Sequence, residues 1–180
     1  MKLSLGKIAE TACKKYDALQ RPEELTRILE IVDKIEPKII LEIGCFKGAT
    51  LWAWKQICDE VYGITLPVKG LKNHGAHVLM ENSHSDEAVS WIENKLFDRE
   101  LDMLFIDGDH SYDGVRNDWE MYSPYVRKGG LVIFHDIANW MNQPEVVWFW
   151  KDLSKGYVIC DAEGSVMSLG FGIVEMGERD

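Results

Sequence analysis

Between Pro22 and Glu36 the apolar residues Leu25, Ile28, Leu29, Val32 and Ile35 recur at intervals of three and four, which predicts an amphipathic helix opened and closed by prolines. The pattern then changes. Lys38-Ile39-Ile40-Leu41 is a short continuous apolar run after Pro37, the signature of a strand buried on both faces. Further runs of this kind stand at Val61 to Ile64, His77 to Met80, Leu101 to Ile106 and Leu131 to Phe134, separated by helix-length segments. Two of those segments carry a clear apolar face: Val89, Ile92 and Leu96 within Ala88 to Phe97, and Val115, Trp119, Tyr122 and Val126 within Tyr112 to Val126. Lys128-Gly129-Gly130 is expected to end the second helix and turn the chain into the next strand. Such βα alternation predicts an α/β fold, a doubly wound and mainly parallel sheet covered by helices on both faces. Towards the C-terminus, Pro144 is expected to open a short helix carrying Val147, Trp148 and Trp150, and strand candidates follow near Tyr157 to Cys160 and Ser168 to Glu175. In the first twenty residues Ile8, Ala12, Tyr16 and Leu19 form a weaker stripe, compatible with a helix that caps a pocket, meets a second subunit or docks loosely.

A chain of 180 residues is expected to form a single domain spanning 1–180. Its formal charge of −10 argues against a protein that grips nucleic acid through phosphates and suits a small, weakly charged partner. Cys13, Cys45, Cys58 and Cys160 show neither a Cys-x-x-Cys pair nor zinc-like spacing, so reduced thiols are expected. With no apolar leader region and no stretch of spanning length, the expected setting is the cytoplasm, with no membrane partner.

Candidate chemistry gathers where predicted strands end. Leu41-Glu42-Ile43-Gly44-Cys45-Phe46-Lys47-Gly48-Ala49-Thr50 takes an apolar strand through an acid and two glycines into a helix. Glycine there permits a sharp turn and close approach to a ligand, and the unpaired N–H groups of a new helix favour an anionic group. Phe46 stands where a dinucleotide fingerprint needs its middle glycine, and Ala49 follows Gly48 where a phosphate loop needs lysine. In an open α/β sheet, ligands lie beyond the carboxyl ends of the strands. Those ends hold Thr65, Asn82 and Ser83, Asp107 to His110, and His135-Asp136. If the fourth and fifth strands pair about 5 Å apart, Asp107, His135 and Asp136 can converge on a divalent cation such as magnesium or manganese.

The pattern Glu-x-Gly-x-x-x-Gly-x-Thr resembles the first motif of class I S-adenosylmethionine (SAM) methyltransferases. Ile106-Asp107-Gly108-Asp109-His110-Ser111-Tyr112-Asp113-Gly114-Val115, then Gly129-Gly130 and a strand ending His135-Asp136, resembles the metal-dependent small-molecule O-methyltransferases of the antibiotic sugar O-methyltransferase and cephalosporin hydroxylase group. Catechol and caffeoyl-coenzyme A O-methyltransferases are more distant likenesses. The resemblance spans roughly Ile39 to Asp136. It implies a Rossmann-like sheet of seven strands, the last antiparallel between the fifth and sixth. It also implies SAM contacted by Glu42, Gly44, Phe46, Gly48, Thr50, Thr65, Asn82, Ser83 and Asp107, with a metal on Asp107, His135 and Asp136 and a small-molecule hydroxyl as acceptor. His110 stands where the catechol-type enzymes carry a lysine base and would take the acceptor proton beside Asp107. Thr65 departs from the acid that usually holds the ribose hydroxyls, and Asn82 from the acid near adenine.

Other readings remain open at this level. Asp107-Gly108-Asp109 also fits the Asp-x-Asp of nucleotide-sugar glycosyltransferases, although that leaves the Gly44 to Thr50 turn without a role. Thr65 and Asn82 would suit a SAM-binding module without catalysis. Asp109, His110 and Ser111 could simply cap the next helix. Trp140 and Met141 are candidates for an acceptor wall, and Trp148-Phe149-Trp150 for a packed helix or a lid. Assembly into a homo-oligomer is compatible with the chain.

Overall fold

A computed structural model describes residues 3–138, 145–153 and 170–177. Strands β1 (Ile39–Ile43), β2 (Glu60–Thr65), β3 (His77–Met80), β4 (Leu101–Ile106), β5 (Val126–His135) and β6 (Phe171–Glu175) form a six-stranded sheet in the order β3-β2-β1-β4-β5-β6. All pairs are parallel except β5 with β6. The strand order reverses between β1 and β4, so a crevice opens at their carboxyl ends.

The helices are α1 (Leu5–Lys15), α2 (Pro22–Asp33), α3 (Ala49–Trp54), α4 (Asp86–Leu96), α5 (Tyr112–Tyr122) and α6 (Val146–Leu153). Because side chains alternate across a strand, two apolar layers form. Ile40, Met103, Phe105 and Ile133 pack against α1, α2 and α3, while Leu41, Leu104, Val132 and Phe134 pack against α4, α5 and α6. The same alternation sends Glu42, Asp107 and His135 to the α1–α3 side. Helix α1 is firmly docked there: Ile8, Ala9 and Ala12 are wholly buried, and the Ser4 hydroxyl accepts the Lys7 N–H at its start.

At the opposite edge of the sheet, Asp102 accepts the N–H groups of Lys38 at 2.7 Å and Ile39 at 2.9 Å and pairs with Arg127 Nε at 2.6 Å. This ties the starts of β1, β4 and β5 together.

The architecture departs from expectation in two places, and the expected count of seven strands extends outside the described residues. Seven strands were expected, but the described residues hold six; the candidate at Tyr157 to Cys160, like the Pro144 helix start, Trp140 and Met141, lies outside them. Gly129 and Gly130 do not end a turn but lie inside β5, where the register shifts between Leu101 and Met103. A Cβ on Gly130 would sit 2.9 Å from the Asp102 carbonyl, so the bulge needs glycine there. Helix α5 stops at Tyr122 rather than Val126, because Pro124 diverts the chain into a 3-10 turn at Ser123–Tyr125. Phe149 and Trp150 of α6 are packed into the core, leaving Trp148 exposed.

Candidate active site

The turn after β1 is built around backbone that only glycine tolerates well. Gly44 has φ +89°, donates its N–H to the Ile64 carbonyl at 2.8 Å, and would place a Cβ 1.9 Å from the Asp107 carbonyl oxygen. Asp107 returns the contact by donating its N–H to the Ile43 carbonyl at 2.9 Å. The ends of β1 and β4 are therefore in direct backbone apposition. Gly48 plays a different part, packing against the Lys72 carbonyl, where a Cβ would lie at 2.0 Å; it lines neither of the two cavities described below.

A cavity of about 580 Å³ runs along the crevice between Gly44 and Phe46, Ile64 to Val68, Glu81 to His84, and Asp107 to His110. This volume lies within the range of small-molecule and cofactor sites. Thr65, Asn82, Ser83 and Asp107 all line it. The Asn82 Oδ1 is engaged by the His84 N–H at 3.0 Å, and His84 Nε2 lies 3.1 Å from the wholly buried Asp118. Thr50 and Glu42 lie deeper. The Thr50 hydroxyl donates to Glu42 Oε1, and the wholly buried Glu42 carboxyl also lies beside the Trp54 indole.

At one end of the cavity four side chains form a closed ring. Asp107 Oδ1 lies 3.5 Å from His110 Nε2, which lies 3.2 Å from Asp136 Oδ2. That oxygen is 3.3 Å from His135 Nδ1, which returns to Asp107 Oδ1 at 3.2 Å. Ligand atoms about 2.1 Å from one cation stand roughly 3.0 Å apart in octahedral and 3.4 Å apart in tetrahedral geometry. Ligand atoms of Asp107, His110 and Asp136 all lie within 4.8 Å of one another, close enough to share one divalent ion, and carboxylates with imidazole are suitable donors. The sequence-predicted Asp107, His135 and Asp136 are thus brought together, and His110 joins them. Asp109 does not: its carboxylate accepts the Ser111 N–H at 2.9 Å, so the Asp-x-Asp carboxylates do not act as a pair.

The charges of the ring members stabilise one another. Burial alone would lower the His135 pKa, but Asp107 and Asp136 overcome it and push it up to about 10. A hydrogen bond to Asp107 raises His110 in the same way. Burial would raise Asp107, yet His135 and His110 hold its pKa below the ordinary carboxylate value. His135 is nearly enclosed between Phe105 and Phe171, whose ring centroids lie 6.3 and 4.8 Å away, whereas His110 is 48% exposed. Glu42 is in the opposite situation from Asp107, because burial pushes its pKa up to about 8.

The site thus joins a glycine turn after β1 to carboxylates closing β4 and β5, in a crevice at the strand reversal. A family described as a methyltransferase domain matches residues 41–137. The chain belongs to that family. Among curated proteins, this methyltransferase-family chain is 41% identical over 122 residues to "Uncharacterized protein R132" of Acanthamoeba polyphaga mimivirus, covering 59% of this chain and 55% of the viral protein. Among solved structures it is similar to the MycE methyltransferase of the mycinamycin biosynthetic pathway in complex with Mg, SAH and mycinamycin VI, with a TM-score of 0.68 and 18% identity over 98% of this chain and 54% of MycE. It is also similar to the O-methyltransferase of Bacillus cereus in complex with SAH, with a TM-score of 0.65 and 18% identity over 96% and 90% of the two chains. The chain thus spans about half the length of the viral relative and of MycE. At these identities the structural likeness establishes the shared fold. No helix among the described residues is long and apolar enough to cross a membrane.

Sequence reasoning missed Gln20. This residue closes the segment between α1 and α2, is only 7% exposed, and donates from Nε2 to Asp107 Oδ2 at 3.1 Å. No local pattern marks it, because its position depends on which sheet face α1 covers.

Proposed function

We propose that this methyltransferase-family chain transfers a methyl group from SAM to the hydroxyl oxygen of a small molecule, assisted by a divalent cation. The observation that carries the reading is the carboxylate–imidazole ring beside Gly44 at the end of the crevice. Mg and SAH together in the MycE complex support it, as does SAH in the Bacillus cereus structure. A cation held by Asp107, His135 and Asp136 would supply charge that polarises the acceptor hydroxyl and lowers its pKa.

Side-chain placement supports the remaining roles. Thr65, Asn82 and Ser83 line the far end of the cavity, where the donor's nucleoside would lie. Gly44 and Phe46 border the opposite end near Asp107, leaving room for the sulfonium to face the ring. Glu42, wholly buried behind Thr50 and kept protonated in the free protein by that burial, would ionise as the donor's ammonium arrives and face it as a carboxylate. His110 is the exposed member of the ring, so it can take the hydroxyl proton and pass it to water. Its raised pKa comes from Asp107 and Asp136, and neutralising those carboxylates returns the imidazole towards the range in which it serves as a base near pH 7. The crevice walls hold the reactants in line and restrict water. The formal charge of −10 favours a small acceptor over nucleic acid.

Isothermal titration with S-adenosylhomocysteine and with Mn²⁺ tests the two halves of the reading. Binding of both is expected in wild type, with Asp107→Asn and Asp136→Asn each weakening Mn²⁺ at least tenfold. Absence of S-adenosylhomocysteine binding refutes the donor assignment. Unchanged Mn²⁺ affinity in both variants refutes the metal assignment.

A further inference from the structure

Beside the main cavity lies a smaller one of about 30 Å³, bordered by Asp17 to Gln20, Gly44 to Lys47, Thr50 and Asp107. Its size suits one water molecule or one ammonium head group. Gln20 faces it from a nearly buried position with half of its amide spoken for. Nε2 donates to Asp107 Oδ2 at 3.1 Å, whereas Oε1 is buried and has no partner among the described residues. The amide orientation is fixed by chemistry, since a carboxylate only accepts and would repel the amide oxygen. An orphan acceptor of this kind is costly unless a donor arrives to meet it.

The surroundings define that donor. Behind Thr50 the carboxyl of Glu42 is wholly buried, and it can release its proton to become a charged partner once a cation lies beside it. Asp107 and Asp17 add acidic groups on the same wall. The cation on this wall, Lys47, carries its Nζ over the Phe46 ring at 5.3 Å. A small, positively charged group with several N–H donors satisfies these acceptors, and an anion does not.

We propose that Gln20 is a binding residue for the amino-acid end of the methyl donor, its Oε1 accepting a hydrogen from the donor's ammonium while its Nε2 holds Asp107. The inference rests on the donor reading given above and adds to it a residue from the N-terminal segment. The Gln20 amide joins two functions. Asp107 turns Oδ2 to Gln20 and Oδ1 to the two imidazoles, so one carboxylate is shared between the donor end and the ring.

The test compares two ligands in wild type and in Gln20→Met, a variant of similar shape without hydrogen-bonding groups. S-adenosylhomocysteine carries the ammonium; 5′-methylthioadenosine has the same nucleoside and sulfur but no amino-acid end. Titration calorimetry is expected to show about tenfold or greater loss of S-adenosylhomocysteine affinity in Q20M, the effect of removing a hydrogen bond to a charged group. The 5′-methylthioadenosine affinity should stay within a factor of two or so by the same reasoning. Equal loss for both ligands overturns the proposal, because Gln20 would then only shape the site. No loss for either overturns it as well. If wild type binds neither ligand, the donor reading itself fails, and this inference falls with it.

Discussion

Glu42 is expected to make the free protein less stable as pH rises, and removing its charge should reverse that. The carboxyl is wholly buried, which raises its pKa from 4.5 to about 8. The folded state therefore keeps a proton that the unfolded chain releases between these values. Stability contributed by this proton is fully present below the unfolded pKa and falls by about 1.4 kcal/mol per pH unit until the folded pKa is passed. At pH 7 the accumulated loss is about 3 kcal/mol. Glu42→Gln is neutral throughout, and its amide oxygen can still accept from Thr50. The amide NH₂ replaces the hydroxyl of the protonated acid, so unpaired donors nearly cancel between the two forms. For a domain of this size, about 3 kcal/mol corresponds to a rise in Tm of about 6 to 12 °C. Thermal unfolding of both proteins from pH 5 to 9, without ligand, measures the difference. The wild-type curve should fall away from that of E42Q up to about pH 8 and then run parallel. Parallel curves from pH 5 upward would refute the buried-acid account. The same variant should bind S-adenosylhomocysteine more weakly, because the ammonium loses its carboxylate.

Gly44→Ala should cost about 3 kcal/mol or more, since it combines a positive φ with a Cβ driven into the Asp107 carbonyl; urea unfolding within about 1 kcal/mol of wild type would contradict the tight apposition. Asp102→Asn should lose about 2 kcal/mol at pH 7, because it weakens two backbone hydrogen bonds and the Arg127 pair. Although desolvation raises the Asp102 pKa, Arg127 and the backbone N–H groups bring it below its ordinary value. Its contribution is therefore present above the ordinary carboxylate range and lost as pH falls through the folded pKa. Urea melts at pH 7 and pH 3 should show the wild-type advantage at the first and little of it at the second; an equal advantage at both would contradict the charge-based role.

Much of this arrangement was legible in the chain itself. Five of the described strands and their βα alternation followed from apolar runs, the sixth lies within the Ser168 to Glu175 candidate, and polar residues at one set of strand ends pointed to the crevice. The His135-Asp136 pair after β5 and Asp107 after β4 do meet, because those strands are parallel neighbours in register. What escaped prediction depends on distant backbone. Gly48 resembles a ligand-binding glycine in sequence, yet its close partner is the Lys72 carbonyl. Gly129 and Gly130 looked like a turn and form a bulge against Asp102. The contact of His110 Nε2 with both Asp107 and Asp136 was not legible in the sequence, because it depends on β4 and β5 lying side by side. Gln20 carries no motif, and only the docking of α1 brings it to Asp107.

The backbone apposition of Gly44 and Asp107 has an evolutionary consequence. A larger residue at Gly44 would prise apart the central strands whatever chemistry the protein performs, so selection for folding alone retains it. Finding this glycine in a homologue is accordingly poor evidence that the homologue is an active enzyme. His110 is half exposed, and its ring partners span two strands without being part of the apolar layers. Under the proposed mechanism, its loss from a descendant that still folds would be the more informative sign of an abandoned reaction.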